Sequence, residues 1–145
     1  MHSTPKKIVI ITTGQPSTNP RMMKEFRALL EQGFNVSVLY SFWASWAHET
    51  DKPLIAGCPG RFTAVGGDPY SRKSIYFFSR LLYKFFSFCS GKLGLFADYS
   101  QARASFFLKR AAVAQKADLY IAHNLGALPA AVHAAKKYGV KAGFD

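Results

Sequence analysis

The loop between the first predicted strand and the first predicted helix carries the side chains best suited to hold a ligand. Residues 14–20 read Gly-Gln-Pro-Ser-Thr-Asn-Pro. Gly14 has no Cβ, so the backbone there can approach a ligand closely. Thr18 and Asn19 add a hydroxyl and an amide, and Arg21 adds a positive charge. Because a helix N-terminus offers free N–H groups and the positive end of its dipole, this loop favours a phosphate.

The loop matches neither common phosphate-binding motif. The Walker A pattern is absent, and a single glycine cannot form the GxGxxG fingerprint. On loop chemistry alone, a plain strand-to-helix turn explains the same residues equally well, with Asn19 as the N-cap and Pro20 at the first helical position.

A second candidate lies where a later predicted strand ends, at His123 and Asn124. A histidine there can contact a sugar hydroxyl or a phosphate, or stabilise a developing charge. The alternative is a histidine that only hydrogen-bonds a neighbouring loop. Residues 125–129 begin another helix, whose N-terminus is a second possible anion site.

Other chemistry is poorly represented. There is no GxSxG elbow, and none of the eight acidic residues forms a pair in a predicted site loop. Asp68 follows two glycines and is interpreted as a turn residue, whereas Asp145 ends a strand and is better placed for a site. The two cysteines do not form a CxxC or Cys/His cluster, so we expect neither a metal nor a disulfide framework, and no cofactor.

The elements that must position these residues alternate between strands and helices. The hydrophobic patterns predict strands at residues 8–11, 36–40, 61–65, 118–122 and 140–144, helices over residues 21–32, 72–89, 99–116 and 127–138, and irregular structure over residues 43–60. This order predicts an α/β fold, an open, doubly wound parallel sheet of the Rossmann-like kind with helices on both faces. Since ligands bind beyond the carboxyl ends of such strands, loops 12–20, 41–45 and 123–126 should share one edge of the sheet.

The charge of the chain indicates an anionic partner. Of the 145 residues, 19 are basic and 8 acidic, and residues 72–116 hold nine basic residues against the single acid Asp98. In the helix predicted there, Lys73, Arg80 and Lys84 fall near one face, with the large apolar side chains mostly elsewhere. This pattern favours a basic amphipathic helix that lies in the headgroup plane of an acidic membrane. An aromatic core under a solvated charged face, or a nucleic-acid-binding surface, remains an alternative.

The chain has no predicted signal peptide, and charges interrupt its most apolar stretch, residues 75–96. A spanning helix needs about 20 apolar residues with few charges. We therefore expect a cytoplasmic protein, peripheral on the inner face of the membrane at most.

Two segments resemble a known family. The strand at residues 7–11, the GQPSTNPR stretch at residues 14–21 and the Gln-Gly-Phe-Asn-Val ending at residues 32–36 resemble the start of GT-B fold glycosyltransferases of the GT4-like group. Residues 117–125, Ala-Asp-Leu-Tyr-Ile-Ala-His-Asn-Leu, resemble that family's fourth-strand motif, and Asp145 matches the first position of its D-x-H-E segment.

The resemblance implies that residues 1–145 form the Rossmann-like N-terminal, acceptor-side domain of such an enzyme. A C-terminal domain outside this chain would hold most of the nucleotide-sugar and the donor-binding glutamates, and residues 1–145 alone would be inactive. Family members transfer a sugar from a nucleotide-sugar to a saccharide or lipid-linked acceptor, usually without a metal, and the type implied here is retaining. By position, Gly14 would meet the donor and His123 would be the catalytic residue facing the sugar. Many members dock on the membrane through basic, aromatic helices.

Two other functions fit the residues. A non-catalytic module could hold a phosphorylated ligand in the loop at residues 14–21. A basic nucleic-acid-binding domain is the third hypothesis, although stacking on single strands would need rings exposed on a sheet or groove.

Overall fold

The computed structural model describes residues 4–145, and its centre is a sheet of five parallel strands. These are β1 (Lys7–Thr12), β2 (Asn35–Ser41), β3 (Phe62–Val65), β4 (Leu119–His123) and β5 (Lys141–Phe144), arranged in the order β3-β2-β1-β4-β5. The predicted open parallel sheet is confirmed. The chain adds β2 and β3 on one side of β1 and then β4 and β5 on the other side, so the strand order reverses between β1 and β4. In such folds this reversal opens a crevice where ligands bind.

Five helices flank the sheet: α1 (Pro20–Glu31), α2 (Ser45–Ala56), α3 (Lys73–Leu93), α4 (Ser105–Ala114) and α5 (Leu128–Tyr138). The first begins as its sequence predicts, since the Asn19 side chain accepts a hydrogen bond from the Met22 N–H at 3.1 Å and Pro20 occupies the first turn. Short 3-10 turns lie at Pro16–Thr18, Ala97–Tyr99 and Leu125–Ala127.

The alternation of side chains along β1 divides the core into two halves. Ile8 and Ile10 pack with the buried side chains of α1, of which Phe26 is the largest. Val9 and Ile11 point to the other face, where they join residues of α4 and α5. Because successive side chains of a strand face opposite ways, the apolar run of β1 at residues 8–11 is buried on both faces of the sheet.

The face that α5 turns to the sheet consists of small side chains. Its four buried residues are Ala130, Ala131, Ala134 and Ala135. A methyl group is the largest group these positions contribute, so the helix can approach the strands closely.

Two predictions about the middle of the chain are wrong. Residues 43–60 contain α2 rather than irregular structure, although Pro53 lies inside that helix. A helix-interior proline costs about 3 kcal/mol, and α2 forms because tertiary contacts compensate: Ala47 and Asp51 are fully buried against the loop after β1. In addition, the helix predicted over residues 72–89 continues through Gly91 to Leu93, and it ends at Gly94, whose φ of 66° is left-handed.

Candidate functional site

A cleft lies at the carboxyl edge of the sheet, where the loops after β1, β2 and β4 meet. Its volume is about 600 Å³, within the range of small-molecule sites. Thr12 and His123 are paired across β1 and β4, so the loops that follow them start side by side. The sequence prediction that these three loops share one edge is confirmed. The connection between α3 and α4 closes the fourth side through Ala102 and Arg103.

Three of the predicted site residues come together in this cleft: Gly14, Thr18 and Asn124. A Cβ added at Gly14 would lie 2.8 Å from the Thr18 Oγ1 atom. That hydroxyl donates to the Gln15 carbonyl at 2.6 Å and is therefore fixed in place. A side chain at position 14 would displace Thr18, so the glycine keeps the wall of the cleft open.

Three other predicted residues, Asn19, Arg21 and His123, do not line the cleft. Asn19 uses its side chain to cap α1, as in the strand-to-helix-turn interpretation. Arg21 is largely exposed and donates to the Asp145 carboxylate at 2.8 Å. The loop therefore fulfils its structural role with Asn19, and Arg21 adds no charge to the cleft wall.

His123 is buried, and its ring contacts two carboxylates. Its Nε2 atom pairs with Glu25 on α1, and its Nδ1 atom lies 3.4 Å from an Asp145 oxygen. The side chain is 3% exposed. It thus joins α1 to the end of β5, which fits the alternative of a histidine hydrogen-bonded to neighbouring elements. In this arrangement His123 positions those elements and does not face the cleft.

Asn124 is the most strained residue at the cleft. Its φ of 80° and ψ of 156° fall in a region that is essentially reserved for glycine. Its side chain accepts a hydrogen bond from the Thr13 hydroxyl at 2.9 Å, and its amide donates to Thr12 Oγ1 at 3.3 Å. Such strain costs about 1–3 kcal/mol and is concentrated at functional sites. Asn124 therefore marks the loop after β4 as the part of the edge most shaped for a ligand.

We expect an Asn124→Gly variant to be more stable than Asn124→Ala by about 1–3 kcal/mol, because glycine relieves the backbone strain and alanine does not. Both variants lose the same side-chain hydrogen bonds, so the comparison isolates the backbone. At an ordinary exposed helix position the order is reversed, with glycine about 1 kcal/mol worse than alanine. Lys136 in α5 supplies that control pair. Urea denaturation measures all four variants, and alanine proving the better residue at position 124 would contradict the strain.

Arg103 is the positive charge that the structure places at the cleft. Its guanidinium lies 5.4 Å from the centre of the Trp43 ring, an arrangement that holds the charge by a cation–π contact. Among the described residues that line the cleft none is acidic. Arg103 is one of the nine basic residues within residues 72–116. No sequence pattern connects it with a site, because none predicts the path of the chain between α3 and α4.

A buried clamp ties the first two loops together. The Gln15 side-chain carbonyl accepts hydrogen bonds from the N–H groups of Trp43 and Ala44 at 2.9 and 2.7 Å. Its amide donates to Asp51 at 2.9 Å, and the other Asp51 oxygen accepts from the Ser17 N–H at 2.8 Å. The two loops after β1 and β2 are therefore held together by one glutamine and one aspartate. No sequence pattern indicates this pair, because its members lie 36 residues apart.

Two titratable side chains near the clamp, Asp68 and Tyr40, have shifted pKa values. Asp68 accepts hydrogen bonds from Ser71 and from the Tyr70 N–H, and these outweigh the effect of its burial and hold its pKa below the usual value. Its interpretation as a turn residue is confirmed. Burial, together with the carboxylates of Asp51 and Asp68, raises the pKa of Tyr40 above its ordinary value.

The exposed face of α3 is both apolar and basic. Its large apolar side chains that are more than half exposed are Phe77, Phe78, Leu81, Phe85, Phe88 and Leu93. Lys73 and Lys84 are exposed beside them, and Arg80 is half-buried with its guanidinium 4.5 Å from the centre of the Tyr76 ring. The predicted separation of basic from apolar side chains is wrong, because Phe77 and Leu81 line the same groove as Arg80 and Lys84. No helix within residues 4–145 has the length and apolar character needed to cross a bilayer.

Comparisons with known proteins bear on the fold. No protein-family model matches the chain, and no curated protein matches it. Among solved structures, the chain is similar to the C-terminal domain of a hydrogenase from Pyrococcus furiosus, with 13% sequence identity and a TM-score of 0.55. The alignment covers 100% of this chain and 95% of that domain. At this identity the likeness shows a shared α/β fold alone. Within the described residues, no group of three or more His, Cys, Asp or Glu side chains is placed to hold a metal ion.

Proposed function

We propose that this chain is the acceptor-side domain of a glycosyltransferase, which transfers a sugar from a nucleotide-sugar to a saccharide or lipid-linked acceptor. The observation that carries the proposal is the cleft itself. It opens where the strand order reverses, and Gly14 and the strained Asn124, on neighbouring loops, both line it. The sequence resemblance at residues 14–21 and 117–125 falls on these two loops.

The chemistry that this cleft can supply is electrostatic. The 3-10 turns Pro16–Thr18 and Leu125–Ala127 lead into α1 and α5, so two helix N-termini lie at this edge of the sheet. Together they would stabilise the negative charge that develops on a leaving diphosphate. On the family resemblance, the remaining donor contacts would lie on a second domain.

A non-catalytic phospho-ligand module is the second candidate, and one observation favours it. Among the described residues that line the cleft there is no histidine, aspartate or glutamate. Within residues 4–145, no histidine or carboxylate therefore faces a ligand bound there to act as a general base. A module that only binds a phosphorylated ligand needs none.

The location that we propose is the cytoplasmic face of an anionic membrane, with α3 in contact with the lipid. Apolar side chains that are exposed on a helix with adjacent lysines are typical of a surface that inserts shallowly among headgroups. Lys73, Arg80 and Lys84 would provide the electrostatic part of this contact, and the phenylalanines the apolar part.

Sugar transfer by the protein expressed from its complete reading frame tests the function. Membrane extract is incubated with radiolabelled nucleotide-sugars, and incorporation into lipid and saccharide fractions is measured. We expect Gly14→Ala to lower transfer about tenfold or more, because displacement of Thr18 misplaces the cleft wall. Gly91→Ala is the matched control, since an added Cβ there meets no atom within 4 Å.

The two candidate functions give different results. No incorporation from any nucleotide-sugar, together with saturable binding of phosphosugars that Gly14→Ala weakens, would support the binding module over the transferase. Equal transfer by the Gly14→Ala and Gly91→Ala variants would remove the cleft from the reaction.

A further inference from the structure

A second cavity adjoins the cleft along α3. Its volume is about 590 Å³, and it is lined by Phe77, Arg80, Leu81, Tyr83, Lys84 and Arg103. Tyr83 and Arg103 also line the cleft. The two cavities therefore share a wall, and a ligand in the groove would reach the edge of the cleft. We call this second cavity the α3 groove.

The α3 groove combines two chemistries that are seldom placed together on a protein surface. Phe77 and Leu81 are each 64% exposed and give it an apolar side. Arg80, Lys84 and Arg103 give it three positive charges, and none of its described lining residues is acidic. An exposed apolar patch and a cluster of positive charges without acidic neighbours are each typical of a surface that binds a ligand.

The two arginines are held by aromatic rings instead of carboxylates. The Arg80 guanidinium lies 4.5 Å from the centre of the Tyr76 ring, and Arg103 lies 5.4 Å from the centre of the Trp43 ring. Neither forms a salt bridge within residues 4–145. Their positions are thus restricted while their N–H groups stay available for an anion, and guanidinium groups bind phosphate oxygens in bidentate fashion.

The geometry points to one class of ligand: we propose that the α3 groove binds the phosphate ester of a long-chain alcohol. Its phosphate would lie between Arg80 and Arg103, at the end next to the cleft, and its hydrocarbon chain would follow Leu81 and Phe77. A purely anionic ligand would leave the apolar side uncovered, and a purely apolar one would leave three charges without partners. On the proposed function, this ester is the carrier of a lipid-linked acceptor.

Titration calorimetry with geranyl phosphate, at concentrations below its aggregation threshold, tests the proposal on the chain alone. We expect saturable binding that is at least about tenfold tighter than that of geraniol or of inorganic phosphate, because each of these lacks one half of the ligand. An Arg80→Gln/Arg103→Gln double variant should bind geranyl phosphate about tenfold more weakly or worse. Leu81→Asn should also weaken binding.

The control is a Lys24→Gln/Arg27→Gln double variant, which removes the same charge from exposed positions of α1. It should bind geranyl phosphate like the unaltered chain, and thermal unfolding confirms that each variant is folded. Undiminished binding by the Arg80→Gln/Arg103→Gln variant overturns the proposal. So does inorganic phosphate that binds as tightly as geranyl phosphate, or binding of geranyl phosphate only when vesicles are present.

The outcome also separates this inference from the proposed function. Sugar transfer to a water-soluble saccharide, without binding of geranyl phosphate, would leave the transferase and remove the α3 groove as a lipid site. Saturable binding of geranyl phosphate without transfer from any nucleotide-sugar would do the reverse.

Discussion

Replacement of Asp51 by alanine is expected to lower the free energy of unfolding by about 3 kcal/mol. The Asp51 carboxylate is 3% exposed and accepts hydrogen bonds from the Gln15 amide and the Ser17 N–H. Without it, two donors are left without partners, and each such loss costs about 1–3 kcal/mol. Natural domains are stable by only about 5–15 kcal/mol, so this single change removes a large part of the total.

Urea denaturation measures the effect, and the same helix offers the control. Glu49 also carries a carboxylate on α2, but it is exposed and contacts only Lys52 among its described ion-pair partners. Glu49→Ala should leave the unfolding midpoint unchanged. Equal midpoints for the Asp51→Ala and Glu49→Ala variants would show that the clamp does not stabilise the fold.

An Asp51→Asn variant distinguishes the shape of the side chain from its hydrogen bonding. Asparagine can still accept from the Ser17 N–H, but its amide then faces the Gln15 amide, donor against donor. Gln15 cannot turn its carbonyl towards it without losing the N–H groups of Trp43 and Ala44. We expect the Asp51→Asn variant to be less stable than the unaltered chain and more stable than the Asp51→Ala variant.

A Phe85→Ser/Phe88→Ser double variant should bind anionic vesicles about 100-fold more weakly than the unaltered chain. These rings are 55% and 64% exposed. Full burial of such a side chain contributes about 1.5–3 kcal/mol, so shallow insertion of both provides about 3 kcal/mol. Neither ring lines the α3 groove. Sedimentation with vesicles of defined anionic lipid content measures the partition.

Trp46→Ser is the control for this second experiment, because Trp46 is 65% exposed but lies on α2. It should sediment like the unaltered chain. Added salt should weaken binding of every variant, since the lysines of α3 act through screened electrostatics. Equal sedimentation of the double variant and the unaltered chain, or equal partition into neutral and anionic vesicles, would contradict a lipid-facing α3.

The sheet could be predicted from local sequence because its strands are short apolar runs bounded by charged residues, glycines and other turn residues. Each predicted strand lies within one or two residues of its observed bounds. The convergence of the three loops followed from the parallel arrangement alone. The same logic could have placed His123: β4 alternates its side chains, and Ile121 faces the α1 half of the core. His123, two positions later, must therefore face the same way, and its ring pairs there with Glu25 of α1.

What could not be predicted depends on contacts between distant segments. The helix α2 contains a proline and offers a weak local signal, and it is held by Asp51 against a loop 34 residues earlier. Arg103 reaches the cleft because α4 packs over β1, β2 and β3 and α3 packs against α4, which brings their connection to this edge of the sheet. No local pattern encodes the contact of Asp51 with the loop after β1 or the position of Arg103. The clamp and the charge of the cleft therefore become visible only in the folded chain.

The alanine face of α5 has a consequence for the width of the cleft. Gly126, just before this helix, sits so near β1 that an added Cβ would lie 2.8 Å from the Thr13 Cγ2 atom. The four alanine methyl groups on the buried face of α5 allow the helix, and with it Gly126, to lie this close. Any bulkier residue at Ala130 or Ala134 would push the helix outward, and the mouth of the cleft would widen from a position that no ligand touches.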